Sequence, residues 1–326
     1  MKNTFNWGII GPGRIANKFA TDLQVVEDAA VNAVASKSGS TDLADKFKVP
    51  KVYREYHQIA EDPDLDAIYI ALPHNFHADA ARICLEAGKP VLIEKPLTVN
   101  AAEAEALISL SERNNVFLME AMWSRFLPVH QQIHRWLEEG LIGEVRSVRA
   151  SFGFLGDGDL EDRWLNPLLA GGSLLDIGIY PLSMIQYIMG AEPVEVQAQG
   201  ILSQTGVDEF VSANLKYASG SVAHFFSTFL ADTRDDLEIL GRDGRITVKR
   251  SFYSAEKAVL EVYGQRKKTF KGKIRSGGFE YQIEEAMACI RAGKIESEIM
   301  PRVDSLGNMR VMDEIRSQIG VKYPFE

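Results

Sequence analysis

The chain has 326 residues, 46% of them hydrophobic and 25% charged, which is an ordinary globular balance with length enough for two domains. Its net charge of −9 argues against a general nucleic-acid or anionic-membrane binder and leaves a small-molecule substrate as the expected partner. Cys84 and Cys289 are the only cysteines, which excludes a disulfide framework or a four-cysteine zinc site. The opening residues lack the basic and apolar regions of a signal peptide. No apolar run approaches the roughly 18 residues of a membrane span, so a cytoplasmic protein is expected.

Phe5–Ile10 reads as a short buried strand, followed by Gly11-Pro12-Gly13 and then by a helix, Arg14–Asp22. A strand, a glycine turn and a helix in that order form a dinucleotide-binding βα unit. Gly11 permits the tight turn, Gly13 lets backbone approach a pyrophosphate, and Ala16 keeps helix and strand close. The helix that opens at Arg14 and Ile15 points its unpaired N–H groups and positive dipole end at the phosphates. The plain alternative is a tight turn without a ligand. Further strands are expected at Val31–Ala35, Ala67–Ala71, Val91–Glu94 and Val116–Met119, with helices at Thr41–Phe47, His77–Ala87 and Ala101–Asn114. Apolar runs without alternation suit parallel strands buried on both faces, so residues 1–121 are expected to form a doubly wound α/β domain.

The second strand ends in Ala35-Ser36-Lys37-Ser38. An acidic residue there would hold the ribose hydroxyl of NAD, whereas a cation suits the 2′-phosphate of NADP. Ser36 and Lys37 therefore favour NADP, with NAD as the alternative and a solvated lysine as the plain reading. Leu72-Pro73-His74-Asn75-Phe76-His77 follows a later strand. His74 and His77 sit three apart, but no further ligand cluster accompanies them, so no metal site is expected. Helix capping, or contact of Leu72, Pro73, His74, Asn75 and His77 with a cofactor edge, is preferred. Glu94-Lys95-Pro96 ends the next strand, where Lys95 would reach the mouth of the cofactor crevice; a solvated lysine is again the alternative.

Beyond Met119 the pattern changes. A helix is expected at Pro128–Glu139, a strand at Val145–Phe154 and, after Gly171-Gly172-Ser173, a helix around Leu174–Met189. Strands then follow at Val194–Ile201, Glu209–Tyr217, Ser221–Leu230, Asp236–Leu240, Arg245–Lys249 and Val259–Tyr263. Their short turns imply a large, mainly antiparallel sheet in a second domain, 122–326, closed by helices near Tyr281–Ala292 and Val303–Gly320.

Three motifs now stand in order: Gly11-Pro12-Gly13-Arg14-Ile15-Ala16, Glu94-Lys95-Pro96, and Gly171-Gly172-Ser173-Leu174-Leu175-Asp176-Ile177-Gly178-Ile179-Tyr180. Together they resemble the Gfo/Idh/MocA oxidoreductases over essentially the whole chain. The resemblance implies a Rossmann domain followed by an α/β domain whose open sheet often serves for dimerisation, hence a homodimer. Many family members carry a histidine where this chain has Tyr180. That departure, with Met122-Trp123-Ser124-Arg125-Phe126 and Ile179-Tyr180-Pro181, resembles the branch of dimeric dihydrodiol dehydrogenases and NADP-dependent D-xylose 1-dehydrogenases. The resemblance also implies a place near the cofactor for Arg163 and Trp164.

The chemistry can be argued from the residues. Oxidation of a secondary alcohol needs a base beside the nicotinamide, and a tyrosine with a pKa of about 10 is a poor one near neutrality. A nearby ammonium favours the phenolate, so Lys95 and Tyr180 are complementary. Asp176 lies four residues before Tyr180, on the same helical face, and would orient the lysine or bind a substrate hydroxyl. Trp123 and Phe154 are candidates for the substrate pocket, against the plain reading of core aromatics. The expectation is an NADP-dependent oxidoreductase acting on a sugar or cyclic diol. The alternative is a non-catalytic NADP-binding regulator of the same fold.

Overall fold

The computed structural model describes residues 4–160 and 162–326, and the chain divides into two compact units. The first holds the residues up to Trp123 together with Arg275–Leu306; the second holds Ser124–Ile274 and Gly307–Glu326.

The first unit is built from β1 (Phe5–Ile10), α1 (Arg14–Leu23), β2 (Ala29–Ala35), α2 (Asp42–Phe47), β3 (Lys51–Tyr53), α3 (Tyr56–Ala60), β4 (Ala67–Ile70), α4 (His77–Glu86), β5 (Val91–Glu94), α5 (Ala101–Asn114) and β6 (Leu118–Ala121). The strands form a parallel sheet in the order β3-β2-β1-β4-β5-β6, so the winding reverses between β1 and β4. That reversal opens a ligand crevice outside the carboxyl ends of the strands. Ile68, Tyr69, Ile70, Val91, Leu92 and Ile93 are all 0% exposed, as strands covered on both faces require, and each aliphatic side chain contributes about 2 kcal/mol. β3 and α3 carry too few residues for any periodicity to announce them, and neither was expected. β6 begins later than Val116 because Asn115, at φ 52°, ends α5 and Ser111 binds Val116 at both its N–H and its carbonyl. β6 then pairs with β5 from Leu118 onwards.

The second unit contains α6 (Pro128–Glu138), β7 (Val145–Gly153), a π-helical segment Leu174–Gly178 that runs into α7 (Ile179–Met189), β8 (Glu195–Leu202), β9 (Asp208–Lys216), β10 (Val222–Thr228), β11 (Leu237–Gly241), β12 (Gly244–Val248), β13 (Lys257–Val262) and β14 (Lys268–Lys271). The eight strands run in the order β14-β13-β12-β11-β7-β10-β9-β8, antiparallel except for the β7–β10 pair. β14 went unpredicted; its Lys-Thr-Phe-Lys pattern is that of a protected edge strand. Val148, Val211, Ala213, Phe225, Ile239 and Ile246 point to one face and are 0% exposed, and α7 packs against β7 and β10 on that side. Pro167–Met189 is long and apolar enough to cross a membrane, which the sequence reading overlooked because Gly171, Gly172 and Asp176 interrupt it; 89% of its apolar stretch lies buried in this core.

Two helices end the chain, α8 (Glu280–Arg291) and α9 (Arg302–Ile319). The expectation that residues 122–326 form one domain needs correction, because Met122, Trp123 and Arg275–Leu306 belong to the first unit. Asp22, 2% exposed, explains the return. Its Oδ1 accepts from the Ser276 hydroxyl and the Gly277 N–H, both at 2.8 Å, and its Oδ2 from the Phe279 N–H at 3.0 Å and Lys18 at 3.1 Å. Arg302 donates to Ser111 Oγ at 2.9 Å, and Ser305 to Glu120 Oε2 at 2.7 Å.

Candidate active site

β1 delivers the chain into the glycine turn. Gly11 has φ +89°, and a Cβ there would lie 2.6 Å from the Ala71 carbonyl oxygen, so only glycine fits. Gly13 caps α1 without any side-chain cap, and a Cβ at Gly13 would meet nothing within 4 Å. No acidic residue occupies the first turn of α1, which leaves the N–H groups that begin at Arg14 and Ile15 without a competing carboxylate. This cradle fits a pyrophosphate.

At the end of β2, Ser36 is 4% exposed with its Oγ 3.0 Å from Ser38 Oγ, while the exposed Lys37 sets its Nζ 4.5 Å above the Tyr56 ring. Arg54 also reaches this corner. Its guanidinium lies flat against Gly39, with Cζ, Nη1 and Nη2 each 3.4 Å from where a Cβ would stand. Among the described residues, neither Lys37 nor Arg54 pairs with a carboxylate. Arg54 and Tyr56 belong to β3–α3, which carried no pattern, so the sequence reading missed both.

Beyond β4, Leu72-Pro73 leads into a short turn, His74–Phe76. Asn75 Oδ1 is buried and finds no hydrogen-bond partner among the described residues, an acceptor suited to a cofactor hydroxyl or amide. His77 corrects the expectation. It is 0% exposed, its Nδ1 lies 2.9 Å from the Pro96 carbonyl oxygen and its Nε2 2.9 Å from that of Leu72. Each ring nitrogen faces a backbone carbonyl, so the one N–H of the neutral ring is used within the protein, and His77 packs between the loop after β4 and the one after β5. Burial holds its pKa below the usual histidine value. Among the described residues, no three His, Cys, Asp or Glu side chains group as a metal site.

Lys95 leaves the carboxyl end of β5, two strands from the glycine turn, or about 10 Å. The turn behind it is held by Glu120, whose Oε1 accepts from the Leu97 N–H at 3.1 Å. Glu94 is buried beneath, accepting from the Tyr69 hydroxyl and from the Lys95 N–H at 3.3 Å. Burial pushes its carboxyl up to about 7, against the pull of Lys95. Its folded-state pKa therefore lies above the unfolded value of 4.5, so the proton stabilises the fold in acid and that contribution is lost as pH rises through about 7. Glu94→Gln, which mimics the neutral acid, is expected to remove this dependence. Between roughly pH 5 and pH 8 the wild type should lose about 2 kcal/mol relative to the variant in denaturant titrations; parallel pH curves would refute the assignment.

In the second unit, Gly171 and Gly172 join the Arg163-Trp164 loop to the helix. Gly172 N–H donates to the Trp164 carbonyl at 2.7 Å, and a Cβ on Gly171 would lie 2.7 Å from the same oxygen. The π-helical segment places Asp176, 5% exposed, against Arg163, whose Nη1 and Nη2 lie 3.2 and 3.4 Å from the two carboxylate oxygens. Such wide helical turns recur at functional sites. Tyr180, in the first turn of α7, stands 5.4 Å edge-on to Phe152 and 5.7 Å from Tyr253, which itself stacks on Phe152 at 4.2 Å. Phe154, Trp164 and Phe229 form a second aromatic group, with Phe154 4.9 Å from Trp164 and 5.2 Å from Phe229. Beside it a hollow of about 110 Å³ is lined by Leu155, Trp164, Phe229 and Leu230.

Each unit therefore gathers its own share of the expected residues. In the first are Gly11, Gly13, Ser36, Lys37, Asn75 and Lys95; in the second are Arg163, Trp164, Asp176 and Tyr180. Trp123 departs from expectation, being 6% exposed and packed 5.4 Å from Phe279 with Lys18 Nζ above both rings; Phe279 arrives with the returning segment. The Arg163–Asp176 pair and Tyr253 were missed, since neither partner carries a local signal of the other.

Family models match both units. Residues 5–122 match an oxidoreductase family with an NAD-binding Rossmann fold, and residues 130–247 match a GFO/IDH/MocA C-terminal domain. Trans-1,2-dihydrobenzene-1,2-diol dehydrogenase of Xenopus laevis is 37% identical over 330 residues, covering 98% of this chain and 99% of that one. Its Homo sapiens counterpart is 31% identical over 332 residues, 98% of each chain. Among solved structures, an aldose-aldose oxidoreductase from Caulobacter crescentus complexed with glycerol superposes with TM-score 0.88 at 25% identity, covering 97% of both chains. A 3-ketoreductase from Actinomadura kijaniata, in complex with NADP and TDP-benzene, gives 0.84 at 27% identity over 97% of this chain and 98% of that one.

Proposed function

The chain belongs to the Gfo/Idh/MocA oxidoreductases and is an NAD(P)-dependent enzyme acting on CH–OH groups; we propose that it uses NADP to interconvert a secondary alcohol or hemiacetal and its carbonyl in a sugar or cyclic diol. The observation that carries this reading is a lysine at the carboxyl edge of a doubly wound sheet, beside an uncapped helix that opens from a glycine turn. Nicotinamide, held with its pyrophosphate at the Gly11–Gly13 turn, would supply the hydride acceptor for the alcohol carbon in the oxidative direction. Tyr180 takes the hydroxyl proton onto its phenolic oxygen, and the Lys95 ammonium favours the phenolate that does so. In the reductive direction Tyr180 returns the proton while Lys95 polarises the carbonyl oxygen. Asp176, held by Arg163, orients the substrate hydroxyl. The aromatic faces of Phe154 and Trp164 suit the apolar face of a ring. Solved forms of the Actinomadura ketoreductase include one with a lysine changed to alanine and one with a tyrosine changed to phenylalanine, the same two residue types.

Lys37 and Arg54, which pair with no carboxylate among the described residues, support NADP over NAD. Fluorescence titration with NADPH and NADH, then turnover on aldoses and cyclic diols, tests the reading. NADPH is expected to bind more tightly, and Lys37→Ala to weaken it about tenfold, or ~1.4 kcal/mol, with NADH unchanged. A preference for NADH would reverse the cofactor assignment, and binding without turnover would favour a regulator.

A homodimer through the open face of the second sheet is also proposed. On that face Phe226 stacks on Phe210 at 6.0 Å, beside a groove of about 390 Å³ lined by Arg149, Ser151, His224 and Glu238. Phe226→Asp is expected to convert the dimer to a monomer in size-exclusion chromatography, because a charge in an apolar interface stays unpaired. A wild-type monomer at micromolar concentration would end the proposal.

A further inference from the structure

We propose that the segment Val321–Glu326 positions the Asp176–Tyr180 helix by gripping the Gly171-Gly172 turn through Tyr323. This rests on the reading of Tyr180 as acid/base. The helix leaves a turn of two glycines, Gly172 at φ +124°, with no side chain of its own to brace it. Two glycines permit many exit directions, so the one adopted must be imposed from outside. Two buried groups impose it. Tyr323, 3% exposed, donates its hydroxyl to the Gly171 carbonyl at 2.7 Å. From the other side Asp208, 0% exposed, accepts at Oδ2 from the Ser173 hydroxyl at 2.8 Å and from the Leu174 N–H at 2.7 Å. A side chain at Gly172 would run into Asp208 Oδ1.

The segment that carries Tyr323 is itself locked. Glu326 pairs with both terminal nitrogens of Arg316, at 2.8 and 2.9 Å, and Arg316 also binds Asp313 at 2.8 Å. The Arg316 guanidinium lies 5.0 Å over the Tyr323 ring, and Phe325 stacks on that ring at 5.5 Å. Glycine turn, tyrosine and arginine clip thus form one chain of contacts that ends at the residues the reaction uses. Burial keeps the Tyr323 hydroxyl protonated and able to donate well beyond the ordinary tyrosine range.

Tyr323→Phe removes one hydroxyl and no ring. It is expected to lower kcat about tenfold through displacement of Tyr180, with NADPH affinity by fluorescence within about twofold of wild type. In a Tyr180→Phe background the same change should cost nothing further, because the residue it acts through is gone. An unchanged kcat, a parallel loss of NADPH binding, or an equal fall in the Tyr180→Phe background would each overturn the proposal. If Tyr323→Phe does not fold, Glu326→Gln loosens the clip without touching the turn; about a threefold fall in kcat is expected, and none refutes it. Full activity of Tyr180→Phe alone would instead sink the reading of Tyr180.

Discussion

Tyr180→Phe is expected to lower kcat about a thousandfold, close to 4 kcal/mol of transition-state stabilisation, while NADPH binding stays as in the wild type. The substitution deletes only the phenolic oxygen. The ring keeps its place against Phe152 and Tyr253, where Tyr180 is 9% exposed, so folding should be little affected. The basic rise in the pH dependence of kcat/KM for alcohol oxidation should vanish with the hydroxyl, since it reports the proton acceptor. Lys95→Met is expected to act on the same proton and so to be strongly non-additive with Tyr180→Phe. Near-wild-type turnover in either single variant would remove that residue from the chemistry.

Asp22→Ala should destabilise the first unit by about 3–5 kcal/mol, among the larger effects any single substitution here would have. The alanine would strand the Gly277 and Phe279 N–H groups and the Ser276 hydroxyl in a site where Asp22 is 2% exposed. Each buried donor left without an acceptor costs about 1–3 kcal/mol. Denaturant unfolding followed by Trp123 fluorescence reads this directly, because Trp123 packs on Phe279. A loss under about 1 kcal/mol would mean that the returning segment is held by something other than this carboxylate.

Much of the architecture was legible because its causes are local. Runs such as Ala67-Ile68-Tyr69-Ile70 and Val91-Leu92-Ile93, apolar without alternation, can only be strands covered on both faces. Gly11 had to be glycine for the turn that its φ of +89° confirms, and the spacing of Asp176 and Tyr180 put both on one helix. Family membership followed from three motifs in order, each a few residues long. Even the position of Lys95, at a strand's carboxyl end, needs nothing beyond its neighbours in sequence.

What the sequence by itself determined, then, is the pair of sheets, the glycine turn and the family. The tertiary structure alone decided which partners those residues have. His77 was read as a helix cap or a cofactor contact and is instead enclosed between two loops, because the carbonyls of Leu72 and Pro96 converge on its ring. Asp176 pairs with Arg163, and Trp123 is buried against Phe279, the two of them belonging to the first unit although both were expected in the second domain. Arg54, Asp208 and Tyr323 sit far along the chain from the turns they support. Periodicity and spacing report the local backbone, whereas a hydrogen bond or an ion pair depends on where the whole fold carries its two ends.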